Sequence, residues 1–251
     1  MDEQTKRKMI KGYFKSFPKW AVMLIAIGLL VTLIGFADKP NAAPIIIGLI
    51  IVGAGGAGIY FYTQGKATEK QMDEWLAEDL KILQKQAINK FGIDASELKA
   101  KPVQVTGPRF WDIGGAPVLW KRGSDNILRF TPISVSVINF TENQLLAYNC
   151  VLDFTTGKAL NEATDEYFYK DVVAVSTKSE SMTVNINKKK FGTIQLNAAE
   201  VFTLTTSGGT SISVLLRDPT LINRMGGGEM PTTKAEEAIQ AVRKMLRDKK
   251  V

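Results

Sequence analysis

The chain of 251 residues contains no histidine and one cysteine, Cys150. Without imidazole there is no side chain with an unperturbed pKa near neutrality, no Ser–His or Cys–His pair, and none of the usual nitrogen ligands for zinc or iron. One thiol can neither close an internal disulfide nor build a thiolate metal site, and it fits a reducing compartment. Carboxylates stand together at Asp165-Glu166 and at Asp171, beside Lys170. Paired carboxylates can serve as acid and base. Neighbours on a strand, however, point to opposite faces, so these read as solvated charges. The run Gly53–Gly58 (GAGGAG) satisfies G-x-G-x-x-G by letter, and an apolar run precedes it. A dinucleotide site needs a strand before the glycines and an acidic residue ending a second strand about 20 positions on. Here a charged helical pattern follows, and the apolar run continues through the glycines to Tyr62. No P-loop motif occurs. The expectation is a protein that is not an enzyme and that has no catalytic residue, no metal ligand and no cofactor.

What remains as candidate chemistry is charge and shape. The formal charge is +7, and Lys6, Arg7, Lys8, Lys11, Lys15 and Lys19 precede the first apolar run with only Asp2 and Glu3 against them. Basic groups beside an apolar run fit anionic lipid better than nucleic acid. The arm, residues 1–19, interleaves Tyr13, Phe14 and Phe17 with these cations. It reads either as an interfacial helix or as a flanking anchor that sets topology. Lys188, Lys189 and Lys190 form a second basic run at an expected hairpin tip. Near a membrane each is worth about 1 kcal/mol of attraction; otherwise they form a solvated turn that protects a strand edge. Gly53 with Ala57, and Ala54 with Gly58, are small residues four apart, a face on which another helix can pack closely. Its partner is either the first apolar segment or another copy of the chain.

The elements that position these groups begin with two uncharged apolar stretches, residues 20–36 and 44–62. Each approaches the ~20 residues needed to cross a ~30 Å hydrocarbon core. The link between them is so short that the second must turn back, giving an antiparallel hairpin. Basic residues concentrate before the first stretch and after the second (Lys66, Lys70, Lys81, Lys85), which places both termini on the cytoplasmic side of the membrane. Phe17, Trp20, Tyr60, Phe61 and Tyr62 fall at the same expected interface. The alternative, a cleaved signal peptide, would need a shorter apolar core than the first stretch has.

Residues 66–91 carry an amphipathic stripe, Met72, Leu76, Leu80, Leu83, Ala87 and Phe91, widened by Trp75 and Ile88, expected as a linker helix that packs on a domain or pairs with other copies. After Gly92, β patterns predict strands at Val103–Val105, Ile127–Phe140, Gln144–Phe154, Glu166–Thr177, Met182–Ile186, Gly192–Leu196, Val201–Thr205 and Ser211–Leu216. The short links suit an antiparallel meander. Beyond Met225–Gly228, Thr233 and Glu236 read as a capping box opening a final helix with the stripe Ala235, Ile239, Val242 and Leu246. The fold class is therefore α+β: a two-helix transmembrane hairpin, a linker helix, and a β domain over 100–251.

The order of about seven antiparallel strands and one C-terminal helix resembles the pleckstrin-homology-like (PH-like) barrels of bacteria. Val137–Tyr148 resembles their early hairpin, Tyr167–Val175 their aromatic-then-Asp-Val strand, and Leu196–Asp218 their last strands. The resemblance implies a small barrel that binds lipid heads or proteins, often beside membrane helices, and implies no catalysis. A departure is that no basic loop aligns between the first two strands. The function expected is a membrane-anchored scaffold that recruits or clusters a protein partner; the partners expected are membrane lipid and either another protein or further copies of the chain as a homo-oligomer, with no nucleic acid. The alternative is an oligomeric channel or transport component built from the hairpin, which would need a pore lined without ionisable residues.

Overall fold

The computed structural model describes residues 1–37, 40–113, 115–186 and 192–249. They divide into two compact units, Met1–Thr68 and Glu69–Val251.

The first unit is three helices. Helix α1 (Glu3–Tyr13) is capped by Asp2, whose carboxylate accepts from the Thr5 amide at 2.6 Å. Helix α2 (Lys19–Ile34) starts after Pro18 and stops at Gly35. Helix α3 (Ala42–Gln64) is capped by Asn41 and ends at Gly65. Neither α2 nor α3 has an apolar stripe, because both are apolar all round, the pattern of a helix surrounded by apolar material. They pack antiparallel: Gly35 meets Ile45, Gly28 meets Gly48 and Val52, and Gly55 meets Ala21.

Of the two spans expected, one has the length. The helix that begins at Ala42 is long and apolar enough to cross a membrane, and its most apolar stretch is 11% buried. Helix α2, at 16 residues, is about 24 Å long and falls short of a ~30 Å core. Its turns close at Gly35, before the apolar run ends at Phe36.

The second unit is α+β, with nine strands in three sheets. Helix α4 (Glu69–Phe91) leads into a four-stranded antiparallel sheet of order β1-β4-β5-β6. Its strands are Ala100–Pro108, Ile133–Phe140, Gln144–Asp153 and Lys158–Phe168. The connection from β1 to β4 carries a small hairpin, β2 (Leu119–Arg122) with β3 (Leu128–Thr131). A three-stranded sheet follows, β7 (Val172–Ile186), β8 (Gly192–Thr206) and β9 (Ser211–Arg217). Helix α5 (Pro219–Arg224) and helix α6 (Ala235–Lys249) end the chain.

One core joins the sheets and α6. Ile138, Phe140 and Leu145 from the first sheet meet Phe202, Leu204 and Val214 from the second. Ala238, Ile239, Val242 and Met245 of α6 complete it. The sheets approach closely at Gly107 of β1, where a Cβ would collide with the Leu215 carbonyl of β9. Only glycine lets the two backbones approach so closely.

Several expected boundaries move. The expected strand Ile127–Phe140 is two strands in different sheets, divided at the cis Thr131-Pro132 bond. Proline cannot donate to a ladder, and sheets confine it to edges and strand starts. Glu166–Thr177 is likewise broken by a single 3-10 turn, Tyr169–Asp171, where the chain leaves one sheet for the other. The strands expected at Met182–Ile186 and Gly192–Leu196 are the far halves of β7 and β8, which run 15 residues each. Strands β2 and most of β6 lay in polar stretches with little alternation.

Candidate functional site

Three places on the chain gather the features that could contact a partner: the outward faces of the helix pair, its basic end, and the covered face of the first sheet.

The helix pair approaches mainly through Gly28, Gly48 and Gly55, and Gly58 is the one residue of the expected face that joins them. A Cβ on Gly28 would lie 2.7 Å from the Gly48 carbonyl, and one on Gly55 would lie 2.6 Å from the Ala21 carbonyl. Gly48 sits equally tightly against Gly28 and Thr32. Gly48 and Gly55 are two turns apart and form the buried side of α3. Of the four residues expected at the packing face, Gly53 has open space where a Cβ would stand, and Ala54 and Ala57 are exposed. Gly58 alone meets α2, against the Trp20 ring. The signal for the true face was present as Gly28, Gly48 and Gly55, but the denser GAGGAG run masks it. The outward faces carry large apolar side chains: Met23, Ile27, Leu30 and Leu33 on α2, and Ile46, Ile47, Leu49 and Ile50 on α3, are all more than two-fifths exposed.

At the C-terminal end of α3 the arm folds back within the same unit. The Ala67 amide donates to the Met9 carbonyl at 3.1 Å, and Gly12 lies against the Gly65 carbonyl. Tyr62 Oη donates to the Lys15 carbonyl at 3.2 Å. The Phe17 and Tyr62 rings meet edge to face at 5.5 Å, and Lys66 sits over Tyr62 at 4.6 Å. Among the residues of the arm expected to meet lipid, Lys6 and Arg7 are the least exposed. Lys6 is 7% exposed, and Arg7 is held by the Glu3 carboxylate at 2.6 Å. Lys8, Lys11, Lys15 and Lys19 are exposed. Lys188, Lys189 and Lys190 lie outside the described residues.

In the second unit, α4 lies over the first sheet and reaches from Gln104 on β1 to Glu162 on β6. Glu69 accepts from the Ser124 amide at 2.6 Å and its hydroxyl at 2.8 Å. Asp73 takes a bidentate pair from buried Arg129, at 2.8 and 2.7 Å, while Asp125 takes a second pair from the same guanidinium at 3.1 and 2.6 Å. Gln104 Nε2 donates to the Leu80 carbonyl at 2.7 Å. Gln86 and Lys90 reach the Glu162 carboxylate, which also accepts from Tyr148 Oη at 2.8 Å. Met72, Trp75, Leu83 and Ala87 are buried. The stripe expected either to pack or to pair is therefore packed. A cavity of about 40 Å³ remains under its first turns, lined by Met72, Leu76, Phe130 and Ile133 among others.

The electrostatics follow from these contacts. The hydrogen bonds from Arg129 hold the Asp125 carboxyl down at about 2. The Tyr148 hydroxyl, foremost, lowers Glu162. Burial pushes the Cys150 thiol up to about 12, so its reactive thiolate is suppressed. Asp165 and Glu166, weighed as an acid–base pair, accept from Asn149 and Gln144 at 3.2 and 2.9 Å on different residues and do not converge. Among the described residues no cluster of three or more carboxylate or thiol groups could hold a metal ion. Comparison with protein-family profiles, with curated proteins and with solved structures finds no match to this chain.

Proposed function

We propose that this protein is a membrane-anchored scaffold of the bacterial inner membrane, whose β domain recruits a protein partner on the cytoplasmic side. The observation that carries the reading is the exposed apolar surface of α2 and α3. A monomeric soluble protein exposes contiguous apolar patches of only a few hundred Å². Here two packed helices carry large aliphatic side chains outward along their length. Lipid is the solvent in which such a surface is stable. In this reading α3 crosses the membrane and α2 returns beside it, its shorter length met by Phe17 and Phe36 at the interfaces and by local thinning of the bilayer. Exposed Lys8, Lys11, Lys15 and Lys19 meet anionic headgroups on the cytoplasmic side.

The β domain is read as PH-like. A four-stranded sheet, a three-stranded sheet and a final helix in the shared core are the order and packing that such a barrel has, with β2–β3 carried in the first connection. The absence of histidine from the sequence and the inert thiol favour binding over catalysis.

The test is in two parts. Protease and thiol-reagent accessibility of single cysteines, placed at Lys8 and at Ser211 in a Cys150→Ser background, is measured in spheroplasts and in inverted vesicles. Both positions label only from the cytoplasmic side if the topology holds. Purification from native membranes in mild detergent then identifies a stoichiometric partner by mass spectrometry. Extraction of the protein by carbonate alone would sink the membrane reading.

A further inference from the structure

Strand β6 closes one side of the first sheet. It pairs with β5, and among the described residues nothing pairs with its other edge. The first half of that edge is covered, since Asn161 Nδ2 donates to the Asp112 carbonyl at 2.6 Å. From Glu162 to Phe168 it is open. This half carries three carboxylates, Glu162, Asp165 and Glu166, and no cation. Lys90 pairs with Glu162, whereas Asp165 and Glu166 accept from neutral amides of Asn149 and Gln144. Among the described residues no cation pairs with either of them. The strand ends at Phe168, a large apolar side chain 53% exposed. Phe168 opens onto a cleft of about 400 Å³ lined by Ile93, Glu97, Lys99, Glu142 and Gln144 among others.

An unpaired strand edge offers a row of backbone donors and acceptors to an extended chain, and flanking pockets then select its side chains. The charge decides which chain. A second copy pairing antiparallel about Thr164 would set Glu162 opposite Glu166 of its partner, and like charges directly opposite are destabilising. An extended segment with lysine or arginine at alternate positions meets the same carboxylates favourably and can set an apolar residue on Phe168 and Ile93.

We infer that the Glu162–Phe168 edge of β6 and the cleft beside Phe168 are a docking site for an extended, basic segment of another protein, which adds as a fifth strand to the first sheet. This rests on the scaffold reading above and names the surface that would do the recruiting.

The experiment uses the full chain in detergent micelles. The probes are a fluorescent ten-residue peptide of alternating lysine and valine and a control of alternating glutamate and valine. Anisotropy measures affinity, and amide hydrogen exchange measures where the peptide binds. The lysine peptide is expected to bind more weakly as salt rises and to protect the amides of Glu162–Phe168. The variant Glu166→Lys/Phe168→Ala, with both changes at exposed positions, is expected to bind at least tenfold more weakly while keeping its thermal midpoint. Binding without protection of β6, equal binding by the variant, no binding of the lysine peptide, or salt-independent self-association through this edge would each overturn the inference. A native partner that co-purifies equally with wild type and variant would overturn this site and leave the scaffold reading standing. Absence of any partner together with loss of membrane residence would strike the scaffold reading itself.

Discussion

Cys150 can report whether α4 is a fixed cover or a releasable one. It lies on β5, opposite Val135 of β4, two residues from Tyr148 and on the same face of the sheet. Tyr148 touches the Glu162 carboxylate that Gln86 and Lys90 of α4 also hold. The thiol is 3% exposed and its pKa stands at about 12, so a disulfide reagent at pH 8 reacts only when α4 lifts or the domain unfolds. When opening and closing outpace the chemistry, the labelling rate is proportional to the open population. Changing Asp73 to Ala removes the bidentate pair to Arg129. The Asp73 side chain is 57% exposed, so solvent screening reduces its worth to about 1 kcal/mol. That free energy raises the open population and the labelling rate about fivefold.

Changing Glu69 to Ala removes its two bonds to Ser124, another ~1 kcal/mol on the same reasoning. Ser124 adjoins Asp125, so the two sites share a loop and need not add. The double variant is expected to label about 10- to 30-fold faster than wild type. Circular dichroism should show the helix content retained, and a Cys150→Ser control should not label. A change of less than twofold in the double variant would refute the idea that these polar ties hold α4 on the sheet. Labelling of the wild type as fast as of denatured protein would refute the packing altogether.

Three further outcomes are expected. Gly48→Leu and Gly55→Leu drive a side chain into the facing backbone of α2, and such overpacking costs about 1–3 kcal/mol; the pair should separate at lower detergent denaturant, read by cross-linking across α2 and α3, whereas Gly53→Leu, with open space at its Cβ, should leave it intact. Gly107→Val sets a side chain against the Leu215 carbonyl and should lower the stability of the β domain by about 2 kcal/mol or more, read as a fall in its thermal midpoint. Asp125, held at about 2 against an ordinary 3.8, contributes stability that is complete above pH 4 and lost as pH falls toward 2; the thermal midpoint should fall across that window, and Asp125→Asn should flatten the fall.

The helical part was legible where a single period governed it. The stripe from Met72 to Phe91 fixed α4 within a few residues, and Ala235, Ile239, Val242 and Leu246 fixed α6, because each helix buries one side only. The packing face of α3 was marked only by Gly48 and Gly55, seven apart; a helix apolar all round has no hydrophobic period to support them, and the denser GAGGAG run hides them. Gly55 faces α2 and Gly53 does not, yet the two look alike in the sequence. The strand pattern failed where the chain changes sheets. At Thr131-Pro132 and at Tyr169–Asp171 apolar residues continue on both sides of the break, so the letters read as one strand. Lys6 and Lys8 look equally free in the sequence, and only the folding back of α1 onto Gly65–Ala67 separates a buried cation from an exposed one.

The two faces of the first sheet explain why its edge, rather than its surface, is left for a partner. The inner face of β4, at Ile138 and Phe140, lies in the shared core with β8, β9 and α6. The outer face, at Val135 and Val137, is buried as well, and α4 lies along it through Gln104, Tyr148 and Glu162. A sheet covered on both sides has only its edges to offer. At β1 the edge meets β9, where Gly107 brings the backbones together. Among the described residues the free edge is therefore β6, and its carboxylates would oppose one another if identical copies paired there. A sheet that is covered on both faces and leaves one acidic edge can be selective by repulsion as well as by attraction. Reversing the sign at Glu166 should thus have two effects at once: weaker binding of a basic strand and a greater tendency of the copies to pair through β6, measurable as mass by sedimentation in the same sample.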